Sequence, residues 1–160
     1  MRGGTTDAHE RGKDFLTDAE MDRLLDGAKR SRHGVRDYLL MLMTYRHGLR
    51  VSEVIALRRN DVNLAQARVW VRRLKNSLSV EHPIAGDELH AIKRYLGTRT
   101  DRLPWLFVSE RGHPPTRRAA FYLVRTAGRS GGLKGVQPHT LWHSCGYYLA
   151  NSGIDLRLPT

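Results

Sequence analysis

The stretch Tyr45-Arg46-His47-Gly48-Leu49-Arg50-Val51-Ser52-Glu53-Val54 decides how the rest of the chain is read. It follows an apolar run, Tyr38-Leu39-Leu40-Met41-Leu42-Met43, that reads as a buried helix ending at Gly48. Glycine just past a helix end adopts the left-handed conformation without a Cβ clash. A further helix is expected to start at Ser52, whose hydroxyl can cap its free N–H groups. Arg50 is thereby pinned between two helix ends on a short, stiff connection. A permanently charged, five-donor fork held that way is suited to gripping a phosphate. For an isolated Gly-Leu-Arg an ordinary surface arginine is the better reading; the residues that follow tip the balance.

Working outward, the charge is the first of these. Among 160 residues there are 27 Lys+Arg against 16 Asp+Glu, a formal charge of +11. The excess is uneven: after Glu110 no acidic residue occurs before Asp155, while Arg111, Arg117, Arg118, Arg125, Arg129 and Lys134 fall in that interval. A solvated face normally mixes both signs, so a polyanionic partner is expected, with nucleic acid ahead of an anionic membrane. No apolar segment approaches a membrane span, and the start, Met1-Arg2-Gly3-Gly4-Thr5-Thr6-Asp7, is not a secretory signal. The lone Cys145 excludes an internal disulfide framework and fits a reducing cytoplasm. A hydrophobic fraction of 40% over this length supports one domain with a real core.

The expected fold is mainly α with a small antiparallel β-sheet. Residues 1–14 are polar and read as a disordered tail. Thr17-Asp18-Ala19-Glu20 is a capping-box pattern, and Met21, Leu24, Leu25 and Ala28 continue it at helical spacing to about Lys29. The second helix spans about Val35 to His47, the third Ser52 to about Arg58, with a turn at Asn60-Asp61-Val62-Asn63. Arg68 to Leu74 and Leu78 to Ile84 form a hairpin around Lys75-Asn76-Ser77. Asp87 caps a fourth helix turning Leu89, Ile92 and Leu96 inward, and Leu106-Phe107-Val108 is a further candidate strand. Thr116 caps a fifth helix to about Ala127, Gly128 to Gly135 is a flexible link, and Pro138 precedes a sixth helix, His139 to about Asn151. Trp70 and Trp105 are assigned to the core or a sheet face.

Arg50 at a helix junction, Lys75 at a hairpin tip, a basic fifth helix and His139 opening the sixth stand in one order. That order, through Arg73-Leu74-Lys75-Asn76 and Pro138-His139-Thr140-Leu141-Trp142-His143-Ser144-Cys145-Gly146, resembles the catalytic domain of the tyrosine recombinases, the phage-integrase family. Among them it resembles the short bacterial members that invert fimbrial promoter segments, over about Phe15 to Leu158. The resemblance implies an integrase-like catalytic domain from residue 15 to 160 and site-specific breakage and rejoining of DNA. Arg50 would clamp the non-bridging oxygens of the scissile phosphate. Lys75, with Asn76 beside it in the minor groove, would protonate the leaving 5′ oxygen. His139, first residue of the family's His-x-x-Arg motif, would assist proton transfer. Apart from the resemblance, the position of Arg117 and Arg118 on a capped helix in the acid-free half favours contact with phosphates of double-stranded DNA over simple solvation. No cofactor is expected, because the family conserves bond energy in a phosphotyrosine link. Fixed cations lower the barrier by stabilising charge on the equatorial oxygens.

Two departures shape the functional expectation. Trp142 stands where the motif's arginine belongs, and one neutral N–H donor cannot reproduce a bidentate clamp. Removing one such donor typically costs on the order of 3 kcal/mol, or roughly 100- to 1000-fold in rate. The sequence also stops at Pro159-Thr160, before the family's Leu-Gly-His and nucleophilic tyrosine, and Tyr147 and Tyr148 are read as packing residues of the sixth helix. The expectation is a DNA-binding recombinase relative lacking its nucleophile segment and unable to cleave alone, most simply a decaying gene copy. It is expected to be cytoplasmic, nucleoid-associated and monomeric off DNA.

The sequence admits three other readings. A non-catalytic module could occupy recombinase sites or pair with an intact recombinase. A basic structural or RNA-associated protein leaves the motif order unexplained. His139 and His143, four apart on a helix near Cys145, invite a zinc reading, but no further ligands stand at matched spacing, so no metal is assigned.

Overall fold

In a computed structural model of the chain, describing residues 15–73 and 79–151 with side chains as far as Ser144, one helix forms the centre. This is α2, Gly34–His47, which follows α1, Asp18–Lys29. Leu39, Leu40, Met41, Leu42 and Met43 of α2 are each no more than 2% exposed. Burying each such side chain contributes about 1.5–3 kcal/mol. A helix apolar on nearly every side must be covered on nearly every side. Here α1, α4 (Gly86–Thr98) and α6 (Pro138–Asn151) pack on it.

The helix ends follow the local chemistry closely. Thr17 caps α1 and exchanges the two capping-box bonds with Glu20. Gly48 ends α2 in the left-handed region, at φ 61° and ψ 45°. The next helix, α3, Val51–Ile55, starts one residue earlier than expected, with Arg50 as its N-cap. Ser52 is therefore not the cap. Its place is taken from inside the helix by Glu53, whose carboxylate accepts the Arg50 backbone N–H at 2.9 Å.

The expected turn at Asn60 to Asn63 instead supplies a short 3₁₀ turn, Arg59–Asp61, and an edge strand β1, Val62–Asn63. β1 pairs with β2, Arg68–Val71, which pairs with β3, Val80–Pro83, all antiparallel in the order β1-β2-β3. Val69 and Val71 point into the core and Trp70 lies on the outer face at 42% exposure. The predicted turn at Lys75-Asn76-Ser77 lies outside the described residues.

Three further expectations are corrected. In α4 Leu89, Ile92 and Leu96 do pack inward, beside the buried Glu88, Ala91 and Tyr95, but Asp87 lies inside the first turn rather than capping it. Leu106 and Phe107 are fully buried but form no strand. The Arg99 guanidinium takes up the carbonyls of Trp105 at 3.2 Å and Leu106 at 2.7 Å, where a sheet partner would otherwise be needed. The supposed glycine link begins as helix: α5 runs Arg117–Ser130, capped by Thr116 as expected. A Cβ at Gly27 of α1 would sit 2.2 Å from the Ala127 carbonyl oxygen, and one at Gly131 2.3 Å from that of Arg23. These glycines let α1 and α5 touch backbone to backbone. Among the described residues, no helix is long and apolar enough to cross a membrane.

Candidate nucleic-acid interface

Arg50 leaves the α2–α3 junction with its backbone tied at both ends. Its N–H is held by Glu53 and its carbonyl accepts the N–H groups of Glu53 at 2.9 Å and Val54 at 3.0 Å. The Glu53 side chain is only 1% exposed, whereas that of Arg50 is 49% exposed. A buried carboxylate thus anchors a half-exposed guanidinium, whose Nη1 lies 3.9 Å from Glu53 Oε2. A second arginine converges from the end of β2. Arg73 Nη1 donates to Glu53 Oε1 and to the Gly48 carbonyl, each at 3.0 Å, and Nη2 reaches the His47 carbonyl at 3.3 Å.

Beside this junction opens a cleft of about 480 Å³ lined by Arg50, Val51, Ser52, Glu53, Arg117, Phe121, Pro138, His139 and Trp142. Pro138 occupies the first position of α6, where its missing N–H costs nothing. That sets His139 at the helix start, exposed and facing the cleft. Trp142 follows on the same helical face, and the Arg50 guanidinium stacks over its ring at 4.7 Å. Such a contact contributes about 0.5–2 kcal/mol, more as water is excluded. His139 and His143 meet Nε2 to Nε2 at 2.8 Å, with the Trp142 ring against both imidazoles.

Arg50, Arg117 and His139, widely separated in the chain, share one cleft. Arg118 is exposed on α5, next to that cleft but not lining it. Lys75 and Asn76 lie outside the described residues, as do the side chains of Tyr147 and Tyr148. Sequence reasoning missed Glu53 and Arg73, which organise the junction. The three-residue step from Arg50 to Glu53, the spacing of a capping box, was the available signal for Glu53. None marked Arg73, since its partners, two main-chain carbonyls and the Glu53 carboxylate, lie 20 or more residues away in the chain.

An arginine-bearing helix junction, a small antiparallel sheet and a histidine at the start of α6 give the fold of a DNA recombinase catalytic domain. The model of the phage integrase family matches residues 14–158, and the chain belongs to that family, the tyrosine recombinases. It is similar to the type 1 fimbriae regulatory protein FimB of Escherichia coli (strain K12), 38% identical over 156 residues, covering 94% of this chain and 78% of that protein. In structure it is similar to the XerA recombinase crystal structure, with a TM-score of 0.79 and 27% identity over 89% of this chain and 51% of that one. The fold also matches the XerH site-specific recombinase bound to its difH substrate, at TM-score 0.76 and 20% identity over 90% of this chain and 45% of that one.

Proposed function

We propose that the chain is a DNA-binding, site-specific recombinase whose residues 15–160 act as its integrase-like catalytic domain, and in which strand cleavage is impaired at the phosphate clamp. The observation that carries this reading is the Arg50–Trp142 stack in a cleft shared with Arg117 and His139. A scissile phosphate entering there would meet the Arg50 fork on its non-bridging oxygens, with Arg117 at the rim. His139 would move a proton, and Lys75, from the β2–β3 connection, would protonate the leaving 5′ oxygen as the family's tyrosine attacks phosphorus. Trp142 provides a flat apolar face where that chemistry calls for a second cation. Negative charge on the equatorial oxygens is then half-compensated, and the barrier rises by on the order of 3 kcal/mol or more.

The outer face of α5 supports a duplex partner: Arg118, Tyr122, Arg125 and Arg129 recur at helical spacing and are all exposed. Their charges would lie along phosphates without demanding a particular sequence. Such a protein would act on DNA in the cytoplasm, alone or beside an intact recombinase. A second reading, a non-catalytic module that occupies recombinase sites, is favoured by the same stack, because it leaves binding intact while weakening chemistry.

Gel-shift and nicked suicide-substrate assays on one duplex test the reading. The expected result is binding that falls at least about tenfold between 50 and 200 mM salt, as phosphate contacts release counterions. Covalent adduct should be absent or slow. Failure to bind duplex DNA, or binding insensitive to salt, would refute the DNA partner. Adduct formed as fast as by an intact recombinase would refute the impairment.

A further inference from the structure

Arg73 bonds to three structural units at once. Its backbone N–H donates to Ser79 Oγ at 3.1 Å, closing the base of the β2–β3 connection that carries Lys75. Its guanidinium spans the carbonyls of His47 and Gly48, the C-terminal end of α2, and the carboxylate of Glu53 in α3. The side chain is 18% exposed, and Glu53 is buried. Carbonyls at a helix end have no intrahelical donors, so a cation there gains from hydrogen bonding and from the helix dipole together. Lysine carries the same charge, but its point-like ammonium cannot match the spread of a planar fork across these acceptors.

We propose that Arg73 is a positioning residue that locks the Arg50 junction to the adjoining ends of β2 and β3. It touches no phosphate itself. It acts by fixing the Glu53 carboxylate, which in turn holds the Arg50 main chain, while its own main chain holds Ser79. The spacing between the Arg50 fork and the β2–β3 strands is thereby set by one side chain. Positioning errors near an ångström weaken such clamps severely. The proposal rests on the reading of Arg50 as a phosphate-binding group, and its test separates the two.

Trp142 supplies a reporter, since the Arg50 guanidinium lies on its ring. In a Trp70→Phe, Trp105→Phe background, Arg50→Ala should shift Trp142 emission and raise its quenching by acrylamide. Arg73→Ala should move both readings the same way although it makes no contact with the tryptophan, and Arg73→Lys should fall between. No DNA is needed for this measurement. On duplex DNA, Arg73→Ala should lower affinity about tenfold with Arg50 present and less than about twofold with Arg50→Ala, the signature of action through a partner. Folded Arg73 variants with native Trp142 emission would overturn the proposal, and so would an equal affinity loss in both backgrounds. If both Arg73 variants failed to fold, the residue would be structural and the proposal would likewise fall. Absence of DNA binding by the unmodified chain would count against the proposed function alone, since the fluorescence result still decides the positioning role.

Discussion

Arg50 and Trp142 face one another as a donor-rich cation and a π-surface, and that pairing bears on what the cleft can hold. The Arg50 fork rests on an indole where the proposed chemistry would call for a second cation. Water-exposed stacking of this kind is worth only about 0.5–1 kcal/mol, so a phosphate can outcompete it for Arg50. Trp142→Arg should therefore add a phosphate contact rather than merely restore an old shape. The slope of log affinity against log salt should steepen by about 0.9 for the one contact added. An unchanged slope would mean that position 142 does not reach DNA. At this scale the sequence was informative about Arg50 and His139 because charge and helix-end chemistry are local properties. It was silent about Arg73, whose role depends on two carbonyls some 25 residues away in the chain.

At the scale of elements, the β2–β3 hairpin is fastened to α2 a second time by histidines. His47 Nε2 contacts the Glu88 carboxylate of α4, and its Nδ1 lies 2.9 Å from His82 Nδ1 of β3. Burial first, then the charges of His47, Arg73 and Arg68, pushes His82 down to about 4. Its Nε2 is buried without a partner among the described residues, which fits a neutral ring. An unfolded histidine titrates near 6.5, so below that pH the unfolded chain binds a proton that the folded one refuses. Stability should thus fall as pH drops from about 6.5 towards 4, by up to about 3 kcal/mol from this residue. Urea midpoints at pH 7 and 4.5 check this: His82→Gln should lose much of the difference. Equal pH dependence in both proteins would show that His82 protonates freely in the fold. Helix and strand order could be read from spacing and caps, whereas the Leu106-Phe107 segment could not. Its apolar pattern is strand-like, but a side chain of α4's flank, Arg99, had already taken its carbonyls.

Across the whole molecule, the two ends of the described chain meet. The Leu16 backbone N–H donates to Ser144 Oγ at 2.8 Å, and Arg30 Nη1 reaches the Ser130 carbonyl at 2.6 Å. The α1–α5 contact between them depends on Gly27 and Gly131. Gly27→Ala would force a methyl to 2.2 Å from the Ala127 oxygen, a distance that backbone cannot absorb without the helices parting. A loss of about 1–3 kcal/mol or more is expected in denaturant unfolding. Gly97→Ala, at a helical site where the new methyl meets no described atom within 4 Å beyond its own stretch of helix, should instead stabilise by about 0.5–1 kcal/mol. If both behave alike, the close approach is not what the glycine serves. This contact also orients α5, so that its exposed arginines and the cleft beside Arg117 belong to one surface. Read along the chain, Gly128 to Gly135 looked like a loose link, because glycine's small size and its flexibility leave the same mark in a sequence.

What the sequence determined by itself is what short-range chemistry controls. The Thr17 and Thr116 caps, the left-handed Gly48, the buried α2 helix, the antiparallel hairpin and the acid-free basic half all follow from neighbours a few residues apart. Family membership followed from the order of such motifs. Only the tertiary structure decided which groups share a cleft, that Glu53 rather than Ser52 holds the start of α3, that Arg73 bridges three elements, and that Trp142 lies under Arg50. Each of those depends on residues brought together by burial of an apolar core. Their contacts are set by distance in space, which local spacing along the chain does not encode.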